Sequence, residues 1–326
     1  MNTNDPNILG LLLIVHRLQQ ASRLLGRDTI VPFAELKLPG VANGYAELVE
    51  VLFKEGLAAG SLERFTLTSM GEEAVKAASV RHSLNALFYN EYYQAVQKSG
   101  AHVLFCERVY GKDLCQHGMA DMDQIGTLLD VLQVKPGMAL LDFGCGDGRI
   151  SEEVAEQTGA NVTGVDIAWQ AIASAEERTR SRLDGLHFFC LDVEKNPQDF
   201  PGDSFDRIIA IDSLFFTRDL KLVLRIFFDH LKPDGQLGLF FISPPDIGPN
   251  ATLLAQALKD LGSSYQLIDL SEQNRQHWIL KKAVLTELEP LFHAESSDFL
   301  FKNRMAECTG NMEGFHRYLY VVQNFK

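Results

Sequence analysis

The feature that most constrains this chain is the phrase at residues 138–150, MALLDFGCGDGRI. Ala139-Leu140-Leu141 is wholly apolar, as a strand buried on both faces must be. It meets Asp142 and then the run Gly144-Cys145-Gly146-Asp147-Gly148, with a helix expected from about Arg149. Glycines at such a turn remove the Cβ atoms that would keep a ligand away from the backbone. The helix start offers unpaired N–H groups and a partial positive charge, which suit a carboxylate. Ligands of open α/β sheets sit at the strand tips, so this turn is the expected binding site. The glycines run G-x-G-x-G, whereas dinucleotide folds use G-x-G-x-x-G to seat a pyrophosphate. An acid at the strand end opposes a pyrophosphate and suits a ligand that carries an ammonium group.

From about 126 to 243 apolar strands alternate with amphipathic helices, the pattern of a mostly parallel sheet covered on both faces. The expected strand at 161–165 runs into Asp166, 20 residues past Gly146, where a ribose-binding carboxylate belongs in such folds. The strand at 186–190 leads to Leu191-Asp192-Val193, and the strand at 205–211 ends in Asp212. A fifth strand is expected after the turn Leu231-Lys232-Pro233-Asp234-Gly235. This glycine phrase and its series of strand-end acids resemble motif I and the following motifs of class I S-adenosylmethionine-dependent methyltransferases. The resemblance implies an α/β, Rossmann-like, seven-stranded sheet and S-adenosylmethionine as cofactor. It places the amino-acid end of the cofactor at Asp142, Gly144, Cys145 and Gly146, and the ribose at Asp166. Ile167 then presses on the adenine, Asp192 and the Val193 N–H meet its edge, and Asp212 closes the crevice.

Upstream, Glu107-Arg108-Val109-Tyr110-Gly111 and Gln116-His117-Gly118 resemble the segment that precedes motif I in phosphoethanolamine methyltransferases and related amine methyltransferases. By that resemblance Gln116 and His117 help to hold the cofactor's carboxylate; the reading from the residues alone is a cap for a helix starting near Ala120. The resemblance extends over about 105–243. It breaks at one point: Phe216 stands where those enzymes carry a catalytic histidine, so their Tyr–His dyad does not transfer.

Residues 1–80 read as helix (7–25, with Ile8, Leu11, Leu12, Val15 and Leu18 on one face), a segment with Pro32, Pro39 and Gly40, a second helix ending at Gly56, a hairpin around Gly60-Ser61 and a third helix capped by Thr68 or Ser69. That order resembles a winged helix, and residues 52–71 resemble the end of the dimerisation domains of small-molecule methyltransferases. A winged helix can also read DNA, but this one carries seven Lys and Arg against nine Asp and Glu, and its second helix holds Glu47, Glu50 and Glu55 against Lys54. Phosphate contact requires the opposite balance. The expectation is therefore packing or homodimerisation. Residues 81–125 form a helical connector and active-site cover, with Phe88, Tyr89, Tyr92, Tyr93 and Val96 near one helical face.

The rest of the chain supplies the acceptor side. A helix is expected at 250–261, a sixth strand at 265–270, a helical insertion at about 271–315 and a last strand at 318–325. Domain boundaries follow as 1–80, 81–125 and 126–326, the insertion resembling the substrate lid of small-molecule methyltransferases. Candidates for a base are Asp212, His117 and Tyr93, with His102 and Glu107 behind them. Candidates for the pocket are Phe215, Phe216, Trp278 and Glu307. The five cysteines form no C-x-x-C pair, so neither a disulfide framework nor a metal site is expected, and a cytoplasmic setting fits. The net charge of −13 argues against a nucleic-acid partner. The expected activity is methyl transfer to a nitrogen or oxygen nucleophile of a small molecule. Methylation of protein or RNA, and a DNA-binding regulator that senses S-adenosylmethionine, are the alternatives.

Overall fold

The computed structural model describes residues 8, 11–13, 15, 16, 19, 31, 32, 45–81, 84–180, 185–201, 204–308 and 312–323. The chain divides into two compact units, Met1–Glu91 and Tyr92–Lys326.

In the first unit the described positions among residues 8–19 are helical, with Leu11, Leu12 and Val15 fully buried. Leu18, Pro39 and Gly40 lie outside the described residues. Helix α1 (Tyr45–Lys54) stops before Gly56, whose φ of 69° continues no right-handed helix. Strands β2 (Ala58–Gly60) and β3 (Arg64–Leu67) form the expected hairpin. A short strand β1 (Val31–Pro32) adds to β3 on its other side, which the proline-bearing sequence did not suggest. Proline is tolerated there because β1 is an edge strand. Thr68 caps α2 (Ser69–Arg81): its Oγ1 accepts from Gly71 N at 3.2 Å and donates to Gly56 O at 2.6 Å.

The second unit begins within α3 (Leu84–Val96) and continues through α4 (Gly100–Tyr110) and α5 (Met122–Val131). Seven strands follow: β4 (Ala139–Phe143), β5 (Asn161–Asp166), β6 (Leu186–Cys190), β7 (Phe205–Ala210), β8 (Leu231–Ser243), β9 (Tyr265–Asp269) and β10 (His316–Gln323). They form one sheet in the order β6-β5-β4-β7-β8-β10-β9. The first five are parallel, and β10 is antiparallel to both β8 and β9. Between them lie α6 (Arg149–Thr158), α7 (Trp169–Thr179), α8 (Leu220–His230) and α9 (Leu253–Asp260). Two helices, α10 (Ser271–Ala294) and α11 (Asp298–Glu307), are inserted between β9 and β10.

The period-2 alternation of each strand divides its side chains between two cores. Ile208, Ala210, Tyr318, Tyr320 and Val322 join α8 and α9 on one face. Ile209, Ile211, Leu319 and Val321 join α5, α6 and α7 on the other. The seven-stranded sheet therefore carries helices on both faces. The turn expected at 231–235 lies inside the bounds of β8, where the ladder skips: Leu231 pairs with Phe205 and Gln236 with Arg207, leaving Asp234 at φ 61°. Residues 324 and 325, expected in the last strand, lie outside the described residues.

Gly126 sits inside α5 with open space where a Cβ would go. Gly126→Ala should stabilise the protein by about 0.5–1 kcal/mol, the backbone-entropy cost of a helical glycine. The denaturant midpoint measures it.

Candidate active site

The glycine turn joins β4 to α6 between the tips of β5 and β7. Gly144, Gly146 and Gly148 all have positive φ, at 77°, 58° and 78°. A Cβ on Gly144 would lie 2.4 Å from Ser213 Cβ, and one on Gly146 would lie 2.0 Å from the Tyr93 hydroxyl. The glycines therefore admit neighbouring protein atoms as well as any ligand. Gly144 N and Cys145 N both donate to Val165 O, which pins the turn to β5.

The strand-tip acids hold this turn. Asp166 accepts from Gly146 N at 2.9 Å and from Ala168 N at 2.8 Å, and burial raises its pKa. Asp142 lies within β4, is buried, and accepts from Ser151 Oγ of α6 at 2.7 Å. Burial pushes its pKa up to about 6. Asp192 accepts from Arg218 at 3.2 Å and lies 3.3 Å from Lys195, while Val193 is buried beside it and Ile167 is half-buried after β5. Arg178 of α7 donates to Asp147 O and to Glu152, bracing the turn from behind.

Asp212 is not an available base. Arg317 at the start of β10 grips both its oxygens, at 2.6 and 3.0 Å, and Met119 N donates to Oδ2 at 2.6 Å. The residue sits at φ 55° with 8% exposure, and Arg317 is fully buried. Gln124 Oε1 accepts from Arg317 Nε at 2.7 Å. Arg317 was missed in the sequence, where it stands one residue before the expected last strand and carries no motif.

Gln116 also differs from expectation. Its side chain accepts from Leu114 N at 3.2 Å and donates to Ala120 O at 3.4 Å, so it shapes its own loop. Neither it nor His117 caps a helix: Asp121 caps α5, accepting from Gln124 N at 2.8 Å. His117 Nε2 lies 3.1 Å from Glu307 Oε1 and 3.2 Å from Asn303 Oδ1. Burial first, and then the Arg304 charge, push its pKa down to about 3, so it is a weak proton acceptor. A histidine with a folded pKa below the unfolded value stabilises the fold fully above about pH 6.5 and loses this, at about 1.4 kcal/mol per unit, as the pH falls toward the folded value. His117 should therefore stay neutral at pH 5, and its ring-carbon NMR shift should be flat between pH 7.5 and 4.5.

Of the remaining candidates, Tyr93 lies against Gly146 and is 7% exposed. Phe215 is half-buried and packs on the core near Phe241, ring centres 6.0 Å apart, while Phe216 is 44% exposed. Glu107 is exposed, and His102 is fully buried with Nε2 2.9 Å from the Tyr92 hydroxyl. The α10–α11 insertion brings Trp278 and Glu307, two residues chosen from sequence, together with a third, His117. Lys281 lies 4.3 Å over the Trp278 ring and pairs with Glu307, which also meets Arg304 at 3.6 Å. Burial raises the Glu307 pKa while Lys281 and Arg304 first, and His117 after them, lower it, and the lowering wins, holding it down to about 2.

Residues 134–289 match the family model of a methyltransferase domain. The chain is 28% identical over 149 residues to phosphoethanolamine N-methyltransferase 3 of Arabidopsis thaliana, covering 46% of this chain and 30% of that protein. It is 32% identical over 180 residues to sterol 24-C-methyltransferase ERG6B of Gibberella zeae, covering 52% and 44%. The chain thus spans less than half the length of these relatives. Among solved structures it resembles phosphoethanolamine N-methyltransferase 2 of Haemonchus contortus (TM-score 0.61, 13% identity, 91% of this chain and 76% of that one). It also resembles the [4+2]-cyclase SpnF (TM-score 0.56, 18% identity, 72% and 96%). At such identities these two likenesses concern the fold alone.

Proposed function

We propose, from the premise that residues 134–289 are a class I S-adenosylmethionine-dependent methyltransferase domain, that this protein methylates a nitrogen nucleophile of a small molecule. The observation that carries the proposal is the positive-φ glycine turn flanked by acids at the tips of β5 and β6. This donor set fits the cofactor: Asp166 suits ribose hydroxyls, Asp192 and the Val193 N–H suit the adenine edge, and Ile167 suits its face. Asp142 and the turn backbone suit the amino-acid end. When bound, S-adenosylmethionine supplies a methyl group already activated on a sulfonium sulfur. The protein's part is then to align the acceptor and exclude water.

Among the described residues, the two base candidates nearest the crevice are engaged or weak, which argues for nitrogen over oxygen. Arg317 holds Asp212, and the pKa of His117 lies near 3. Both nucleophiles must shed a proton, but an alkylammonium, with a pKa of about 10.4, gives it up to water or a weak base far more readily than an alcohol does. Tyr93, beside Gly146, is placed to shape the transfer centre. The α10–α11 insertion acts as the acceptor lid. The N-terminal unit serves packing or homodimerisation, in keeping with its acidic second helix, and the protein works in the cytoplasm. No described helix is long and apolar enough to cross a membrane.

The test is a panel of small amines, phenols and carboxylates read by formation of S-adenosylhomocysteine. Amines should react fastest; absence of cofactor binding in calorimetry would sink the reading. Asp166→Ala should weaken cofactor binding by about 1–3 kcal/mol, the cost of losing hydrogen bonds to a charged acceptor. Unchanged affinity in calorimetry would remove Asp166 from the ribose.

A further inference from the structure

Residues 116–119, in the loop between α4 and α5, are held one by one from outside the loop. Gln116 O accepts from Arg304 Nη2, and His117 O accepts from Arg304 Nη1 at 3.0 Å. Gly118 O accepts from the Tyr110 hydroxyl at 2.9 Å. Met119 N donates to Asp212 Oδ2 at 2.6 Å, and a Cβ on Gly118 would lie 2.6 Å from that same oxygen. The loop is thus pressed against the tip of β7, where open α/β sheets bind their ligands. Connecting segments are ordinarily the mobile part of a fold, and this one is fixed.

Arg304 of α11 holds more than the loop. Its Nη2 also donates to the Tyr92 hydroxyl of α3. Its guanidinium carbon stands 5.0 Å from the Tyr92 ring centre and 5.6 Å from that of Phe105. The next residue on α3, Tyr93, sets its hydroxyl against Gly146. One side chain of the insertion therefore joins the 116–119 loop to the stretch of α3 that abuts the glycine turn.

Packing alone does not call for an arginine here. Arg304 is fully buried, and the Glu307 oxygen it meets at 3.6 Å is shared with Lys281. An apolar side chain of similar volume fills such a space at least as well, because a buried charge must first lose its water. What arginine adds is a planar fork whose N–H groups reach two carbonyls and a hydroxyl at once. We infer that Arg304 is a positioning residue for methyl transfer. Through it the α10–α11 insertion fixes residues 116–119 and the Tyr92–Tyr93 pair in the shape that seats the cofactor, without touching the cofactor itself. This rests on the methyltransferase reading above. Docking of the insertion and binding of the cofactor are then linked, each strengthening the other.

The experiment titrates the full chain with S-adenosylhomocysteine by calorimetry, at a temperature where circular dichroism shows every variant folded. Arg304→Met should weaken binding at least about tenfold. Arg304→Lys should weaken it too, because a point charge on a flexible stem cannot span the acceptors that the fork reaches. Leu300→Ala opens a cavity at a buried position of the same helix and is the stability control. Its Tm should fall while its affinity stays that of wild type. Unchanged binding by Arg304→Met, or an equal loss in Leu300→Ala, would make Arg304 a structural residue only and overturn the assignment. Tyr92→Phe keeps the ring and removes the hydroxyl that Arg304 grips, so it decides the matter if the Arg304 variants do not fold. Its affinity should fall several-fold, and no change would overturn the assignment. A second readout follows the linkage: S-adenosylhomocysteine should slow amide hydrogen exchange in α11 of wild type and Leu300→Ala, but not of Arg304→Met. No slowing in wild type overturns the linkage. A wild type that binds no cofactor refutes the methyltransferase reading and this assignment with it, whereas binding that all the variants leave intact refutes this assignment alone.

Discussion

Arg317→Met should destabilise the protein by about 3–5 kcal/mol, because it strips a buried carboxylate of the cation that grips both its oxygens. Arg317 is fully buried, and its guanidinium takes both oxygens of Asp212 while Nε donates to Gln124. Methionine fills much of the same volume but leaves the Asp212 charge in a dry setting, with the Met119 backbone N–H donating to it. Asp212→Asn should also be costly, although asparagine tolerates the φ of 55° at this position, so the loss reports on charge and not on backbone strain. Combining the two substitutions should recover part of the loss, since neither charge then remains. Urea unfolding of the four proteins gives the coupling energy directly. Single-variant losses below about 1 kcal/mol would mean that the pair is open to water and that Asp212 is available for chemistry after all.

Gly144→Ala should cost about 2–3 kcal/mol of stability and lower cofactor affinity at least about tenfold. Two effects combine. The residue has φ 77°, a conformation that costs an L-residue about 1–2 kcal/mol. Its new methyl would lie 2.4 Å from Ser213 Cβ, an atom fixed to the backbone, so the tips of β4 and β7 must part. Parting them strains the Ser213 Oγ to Phe143 O bond of 2.7 Å. Gly146→Ala makes a useful contrast. There the obstacle is the Tyr93 hydroxyl, the far end of a side chain, which can swing away. Its stability loss should be the smaller of the two, while its effect on cofactor binding should remain. Calorimetric titration with S-adenosylmethionine and unfolding curves together separate these outcomes.

The parts of the site legible in the sequence are those built by near neighbours. The turn from β4 to α6, the acids at the tips of β5 and β6, and the helical insertion before β10 stand within a residue or two of where the sequence puts them. What went unread is who meets each side chain. Asp212 looked like the best-placed base, and nothing near it in the chain announces Arg317, 105 positions away. Gln116 and His117 are expected from the resemblance near the cofactor's carboxylate, and nothing in the sequence told that the first would also bond its own loop and the second face Glu307. Phe215 follows a strand tip and is expected at the pocket; its half-buried ring packs against Phe241 at the edge of the core, a contact the sequence does not show.

The sequence by itself determined the alternation of strand and helix, the glycine bend and the row of acids, because steric limits on φ and the two-residue pleat act over a few bonds. Only the tertiary structure decided the electrostatics. Arg304 reaches Tyr92 across 212 positions, and Lys281 reaches Glu307 across 26. A buried charge takes its proton affinity from whatever lies within a few ångströms, and that set of neighbours exists only once the chain has folded.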